Sequence, residues 1–501
     1  MTMFPKVKKD STRRECYSVD FNWTDEHLTH DQLRPLIYTY DTLAAEALDR
    51  LDDVQSLALR NRDIKKMPNP HGDARADLDE KEGKEKCPMM GGDLFQLLKE
   101  RAPKDEVLNR LWTQVNTVPD WVDWAQIKRG QDIFYRYVGP SIVALTFHSL
   151  LGGMGSRRIV ETLTRTGGFG VKVARRRLLE TFQHVLDVTR DLDSIKPGGK
   201  GWETSIRVRF LHASVRRRIM RLAKERPDYY DVQDLGVPVN DLDAITTIIG
   251  FSVTLVWIGF PRQGIYMTEQ EVYDYVALWR WIAHIMGTPT GPFETPQTAK
   301  MWMESILLTE IEPTKTSQIL ANNIIAGLHS QPPVNASKDF LRAEAWWLNG
   351  EELASALNVP KPPFYYFILV AGQCIFFTAM TYFRRLVPWF DMWSVNRMRK
   401  IVHATVMEQV GGEEAGFRFS YIPDLGKITL GEEEGTMEKG GVARFVRTWV
   451  WWRGENPERR NLVAFLVAGA LVGYVSWWAV TALASTEWFA SSGSALNFLK
   501  V

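Results

Sequence analysis

From Leu94 to about residue 410, apolar side chains recur at three- and four-residue steps, and alternating strand patterns are scarce. That periodicity matches helices with one apolar face, and it restricts the chain to architectures that pack helix on helix. Helical stretches are expected over residues 94–153, 157–191, 203–226, 240–260 and 269–287. The fold class expected is all-α: a large, globin-like helical bundle domain followed by a C-terminal transmembrane helix. No internal repeat is apparent.

The expected transmembrane helix occupies 461–485, because Leu462 to Ala484 is 23 residues without a charge. A bilayer's hydrocarbon layer takes about 20 apolar residues. Arg444, Arg447, Arg453, Arg459 and Arg460 precede it and only Lys500 follows. Positive flanks stay in the cytosol, so the long N-terminal part is expected there and the 486–501 tail across the membrane. The opening MTMFPKVKKDSTRREC lacks the apolar stretch of a secretory signal.

Residues 364–383, FYYFILVAGQCIFFTAMTYF, form a second uncharged stretch. Arg384, Arg385, Arg397, Arg399 and Lys400 follow it, while only Lys361 closely precedes it. If it spanned, this asymmetry would place the catalytic part on the opposite side. The stretch is therefore taken as a core helix or one lying against the bilayer. The remaining organisation expected is a polar, partly disordered segment at 1–100, a helical domain at 101–410 and a Gly- and Glu-rich connector at 411–460.

Composition removes several classes of function. With 61 basic and 60 acidic residues the net charge is +1, so no global field attracts nucleic acid. Cys16, Cys87 and Cys374 are far apart and odd in number, which argues against a disulfide framework, a zinc ribbon or a cysteine-held cluster. Trp is abundant, with 19 residues and clusters at 346–347, 449–452 and 477–478. Such residues suit membrane interfaces and apolar ligand pockets alike.

The chemistry-bearing region lies between 157 and 218. On a helix, Arg177, Glu180, Thr181 and His184 of ARRRLLETFQHVLDVT share one polar side, which is either solvated or turned into a pocket. His212 stands among Phe210, Leu211, Ala213 and Val215, and a neutral imidazole with apolar surroundings suits the axial side of a haem. Arg209 and Arg216, with Arg207, Arg217 and Arg218, could meet haem propionates through paired guanidinium hydrogen bonds. By residue type alone, His212 is more often a structural residue than a ligand, the arginines a solvated or lipid-facing patch, and Glu161 a surface carboxylate.

Six segments, in this order, carry a family resemblance: WVDWAQIKRGQDIFYRYVGP, SLLGGMGSRRIVETLTRTGGF, ARRRLLETFQHVLDVT, IRVRFLHASVRRRI, PVNDLDAITTIIGFSVTLVWIGF and DYVALWRWIAHIMG. Together, over about residues 105–410, they resemble the family of bacterial latex clearing proteins (rubber oxygenases) and the fungal endoplasmic-reticulum oxygenase of mycophenolic acid biosynthesis. The resemblance implies an all-helical fold holding haem b, with iron bound by His212 of LHAS and O₂ as co-substrate. It also implies distal roles for Arg177, Glu180 and Thr181, and a proton-abstracting role for Glu161.

The latex clearing proteins carry a basic residue where this chain has Glu180, so rubber cleavage itself is not implied. The implied reaction is oxidative cleavage of a carbon–carbon double bond in a hydrophobic isoprenoid or secondary metabolite. Hydroxylation, epoxidation or rearrangement of a polyketide or terpenoid, and a non-enzymatic membrane haem protein with His184 as second ligand, remain open. So do the redox donor and the oligomeric state. The implied location is the endoplasmic reticulum membrane, with the domain in the cytosol.

Overall fold

The computed structural model describes residues 7–53, 93–166, 169–331, 334–409 and 457–496. The longer helices are α1 (Leu94–Arg101), α2 (Glu106–Asn116), α3 (Trp124–Arg136), α4 (Arg157–Thr164), α5 (Val171–Thr189), α6 (Lys200–Glu225) and α7 (Asp241–Phe251). They continue as α8 (Glu269–Ile285), α9 (Pro296–Glu310), α10 (Lys315–Leu328), α11 (Lys338–Ala356), α12 (Phe364–Leu386), α13 (Pro388–Gln409) and α14 (Pro457–Leu496). Residues 42–53 are helical too. Among the described residues the sole sheet is a hairpin, β1 (Arg13–Cys16) antiparallel to β2 (Val19–Asn22). The chain is therefore all-α in class, as its periodicity requires.

The helix ends follow local chemistry. Asp105 accepts from the Leu108 amide at the start of α2, and Thr268 with Glu271 forms a reciprocal capping box at the start of α8. The expected helix over 157–191 is two helices, α4 and α5, with Arg165 and Thr166 in a turn and Phe169 and Gly170 outside helix. The stretch 240–260 likewise divides. Ser252 leaves helical geometry at φ −121° and ψ −76°, and a π-helical turn, Leu255–Gly259, follows. Apolar periodicity alone does not register such interruptions, because the buried face continues on both sides.

The core is centred on α8, whose Tyr275, Leu278, Trp279, Trp281 and Ile282 are all buried. Its buried indole groups are served where partners exist: Trp281 donates to the Ile195 carbonyl at 3.0 Å, and Trp202 on α6 donates to the Val115 carbonyl at 2.8 Å. The N-terminal segment is more integrated than its polar text suggests. Phe21, Leu33, Leu48 and Leu51 are fully buried, since sparse apolar residues suffice to dock a short helix on a large core. The charge-rich stretch 54–92 and the connector over 410–456 lie outside the described residues.

Four helical stretches among the described residues are long and apolar enough to cross a membrane: 138–155, 241–259, Phe364–Leu386 and Pro457–Ala482. The first two are more than half buried within the domain, α12 is buried on one side, and the α14 stretch has no such cover.

Candidate active site between α5 and α6

Helices α5 and α6 run antiparallel. Gly201 packs against the backbone of Asp187 and Val188, and three residues on, His184 Nδ1 meets Thr204 Oγ1 at 3.3 Å. Equal steps away from that contact bring Glu180 and Arg177 level with the next two turns of α6, where His212 stands.

The His212 ring is half-buried and makes no hydrogen bond among the described residues. Burial pushes its pKa down to about 4; Arg216 pushes the same way and Asp41 opposes. Its imidazole is thus neutral at physiological pH, the form that ligates metals. His184 is buried, and burial followed by the charge of nearby His212 pushes it down to about 4 as well. Its Nε2, the Oε2 of Glu180 and the Oγ of Ser214 are buried without a hydrogen-bond partner among the described residues. Interior polar atoms without partners are costly, so they mark a place where a partner is expected.

The remaining predicted residues are placed as follows. Arg177 is buried, bonded to the carbonyl and the Oγ1 of Thr166 (2.8 Å to the latter) and stacked 5.6 Å from the Phe169 ring centre. Burial lowers its pKa to about 10, and Glu180 opposes. Glu180 Oε1 accepts from Arg176 Nε at 3.0 Å.

Thr181 needs a correction. It is exposed, since the one-residue step from Glu180 turns it about 100° around the helix, to the outer side. Gln183 and Asp187 are buried instead, and sequence reasoning missed them. Steps of three and seven residues from Glu180 reach both.

Glu161 lies on α4, in an ion pair with Arg165 at 2.6 Å. Arg165 in turn stacks on Tyr229 and Tyr230, which pack with Ile219 and Val215 of α6. Glu161 is therefore associated with α6 beyond His212, one to two turns along, through this aromatic pair.

The two arginines expected to meet propionates also need correction. Arg209 is engaged by Asp41 (2.6 and 2.9 Å), Gln114 (2.6 Å) and the Ile285 carbonyl (3.1 Å). Arg216 donates to the carbonyls of Val239 (2.7 Å) and Pro238 (3.3 Å) and sits 4.6 Å from the Tyr40 ring centre. Arg207 pairs with Asp93 and Glu203, and Arg217 with Asp49 and Asp52. The basic side of α6 thus fastens the N-terminal segment rather than offering open guanidinium groups.

The void bordered by His212, Asp41, Arg209, Arg216 and Met286 measures about 20 Å³. That is room for a water. Among the described residues no group of three or more His, Cys, Asp or Glu gathers as a metal site. Any iron here would need a macrocycle to supply its other ligands. The donor chemistry of His212 fits a tetrapyrrole iron; the space beside it, as packed, does not hold the ring.

Fold and site together define a helical domain with a neutral interior imidazole on its longest core helix. Residues 135–373 match the family described as ER-bound oxygenase mpaB/B'/Rubber oxygenase, catalytic domain. A solved structure of latex clearing protein LCP in the closed state is similar in fold, with a TM-score of 0.50 and 16% sequence identity, over 77% of this chain and 93% of that one. No curated protein matches the chain significantly by sequence.

Proposed function

We propose that this chain is a membrane-anchored, haem b-dependent oxygenase that cleaves a carbon–carbon double bond of a hydrophobic isoprenoid or secondary metabolite with O₂. The oxygenase class follows from the family of residues 135–373. The observation that carries the haem reading is His212: a neutral imidazole without a protein hydrogen bond, close enough to His184 of α5 to shift its charge, with the Nε2 of His184 buried and without a partner among the described residues.

His212 would hold the iron, and the bound haem would supply the activation of dioxygen. Each atom of O₂ ends in one of two carbonyl products. α5 packs on α6 beside His212. Arg177 and Glu180 would set the polarity there, with Arg177 as donor and Glu180 Oε2 as acceptor. Glu161 would take a proton from substrate if Arg165 releases it. α14 would anchor the domain, and lipid-soluble substrate would reach it from the bilayer.

A second reading has its own support. His184 Nε2 is buried, unbonded and electrostatically coupled to His212, which suits a second axial ligand in an electron-transfer or haem-binding protein.

Absorption spectra of the purified full chain, oxidised, reduced and with CO, test both readings. A Soret band that His212→Ala abolishes or shifts, together with CO binding on reduction, is expected of the oxygenase. A six-coordinate spectrum that refuses CO until His184 is replaced would favour the second reading. A colourless, iron-free protein overturns both.

A further inference from the structure

One side of α12 is covered by the domain. Leu369, Val370, Gln373, Phe377, Thr381 and Arg384 are buried there. A neighbouring side packs on α14, and Gly372 is the point of closest approach: a Cβ at that position would lie 1.9 Å from the Asn461 carbonyl oxygen. The third side has no cover among the described residues. Phe364, Ile375, Ala379, Tyr382 and Leu386 fall on it at helical spacing and are all exposed, Phe364 by 77% and Leu386 by 81%. Ile368 and Ala371 fill the interval and are partly exposed. The stripe runs the length of a 23-residue helix, about 35 Å at 1.5 Å per residue. It continues round the corner onto α13 through Trp389, Met392 and Trp393, of which Trp389 is 73% exposed.

Three features point to what covers it. The stripe adjoins α14, whose exposed Val463, Leu466, Leu471 and Trp477 extend the same apolar surface. The corner is rich in Trp and Phe, with Phe390 stacked on Trp393 at 5.6 Å, as residues at a headgroup boundary are. Its charge has one sign. Between residues 364 and 407 the acidic residue is Asp391, which is buried and paired with Arg136 at 2.8 Å. Around it, Arg397 stacks on Trp393 at 5.1 Å and Lys400 is exposed, while Arg385, 5.1 Å from the Tyr382 ring centre, is paired inward with Glu271 at 3.1 Å. A basic rim with an aromatic belt complements anionic headgroups. Two copies of this chain meeting through the same face would bring like charges together.

We infer that the outward stripe of α12 and the adjoining corner of α13 form a second membrane-binding surface, seated in the headgroup and upper acyl region of a phospholipid leaflet. The catalytic domain then lies on the bilayer and is not merely tethered to it. The inference rests on the proposal that α14 is a membrane anchor. The stripe is long enough to span, but its arginine-bearing, half-docked helix suits an in-plane position.

Site-directed spin labelling of the full chain in phosphatidylcholine vesicles containing phosphatidylserine tests it. Labels at Leu386→Cys and Met392→Cys report the stripe, Val472→Cys the anchor, and Lys99→Cys an exposed position elsewhere; the unsubstituted chain, labelled in parallel, supplies the background. Collision with oxygen over a water-soluble nickel chelate should be favoured several-fold at 386, 392 and 472 relative to 99. Lipid-like behaviour at 472 with values like those of residue 99 at 386 and 392 overturns the surface and leaves the anchor standing. Water-like values at all four positions remove both. Spin–spin broadening at 386 or 392, reversed on dilution with unlabelled chain, assigns the stripe to a second copy and also overturns the inference.

Discussion

Arg209 grips Asp41 through two parallel hydrogen bonds, Nε to Oδ2 at 2.6 Å and Nη2 to Oδ1 at 2.9 Å, one turn before His212 on the same helix. The pair ties residues 37–41 to α6 and closes that side of the candidate site. Gly287 makes room for it: with φ at +72°, a Cβ there would lie 2.5 Å from Asp41 Oδ2 and 2.6 Å from Arg209 Nε.

Removing one member of a buried ion pair leaves the other charge without compensation and costs about 3–5 kcal/mol. Arg209→Met is therefore expected to lower unfolding free energy by roughly that amount. Asp41→Asn combined with Arg209→Met should cost less than the two separate losses added together. Denaturant titrations of the four proteins of this cycle check it; additive losses would mean that the pair is not coupled.

The outer and inner sides of α5 should separate in function. Thr181→Val, at an exposed position, is expected to leave turnover within about twofold, a surface-sized effect. Glu180→Gln should retain haem yet change turnover by tenfold or more, on the scale of a positioned polar group. The readouts are the Soret absorbance per protein and steady-state product formation. The opposite ranking would return Thr181 to the site.

Glu344 of α11 sits buried against Gln373 of α12, beneath Arg460 and Asn461 at the start of α14. Burial raises its pKa to about 8, with Gln373 and Arg460 opposing. The folded state therefore holds this proton more tightly than the unfolded chain does. Its contribution is fully present below the unfolded glutamate value and is lost as pH rises through about 8. Thermal melts between pH 5 and pH 8 should show stability falling by up to about 1.4 kcal/mol per pH unit from this group. Glu344→Gln should flatten that fall. An unchanged pH profile in the variant would show that Glu344 titrates normally.

Gly372→Val should loosen α14 from α12, because the added carbon meets the Asn461 carbonyl and the Phe465 side chain. Overpacking of this kind costs about 1–3 kcal/mol. Distance measurements between spin labels on the two helices are expected to broaden, while the Soret absorbance stays as in the unsubstituted chain. A distance distribution identical to that of the unsubstituted chain would mean the contact is easily accommodated.

The helical class, the long apolar runs and the residue types near His212 were legible in the sequence, because helix periodicity and uncharged length are local properties. The site was legible only in part. Arg177 and Glu180 are buried and His212 half-buried, whereas Thr181 is exposed and Gln183 and Asp187, which the helical spacing did not single out, are buried. A helical wheel gives neighbours on one face; it does not say which part of a wide polar face the next helix covers.

What the amino-acid order determines by itself here is the set of helices, their charge-free lengths and which imidazoles and carboxylates are available. What tertiary structure decides is whether each charge is already spent. Arg209 looks free in the text of α6, yet its partner Asp41 lies 168 residues away in sequence. The same holds for α12, whose apolar residues look alike until packing covers one side and leaves Leu386 outside. The physical reason is common to both cases: ion pairing and burial depend on distance in space, and no periodicity along the chain encodes which distant segment arrives.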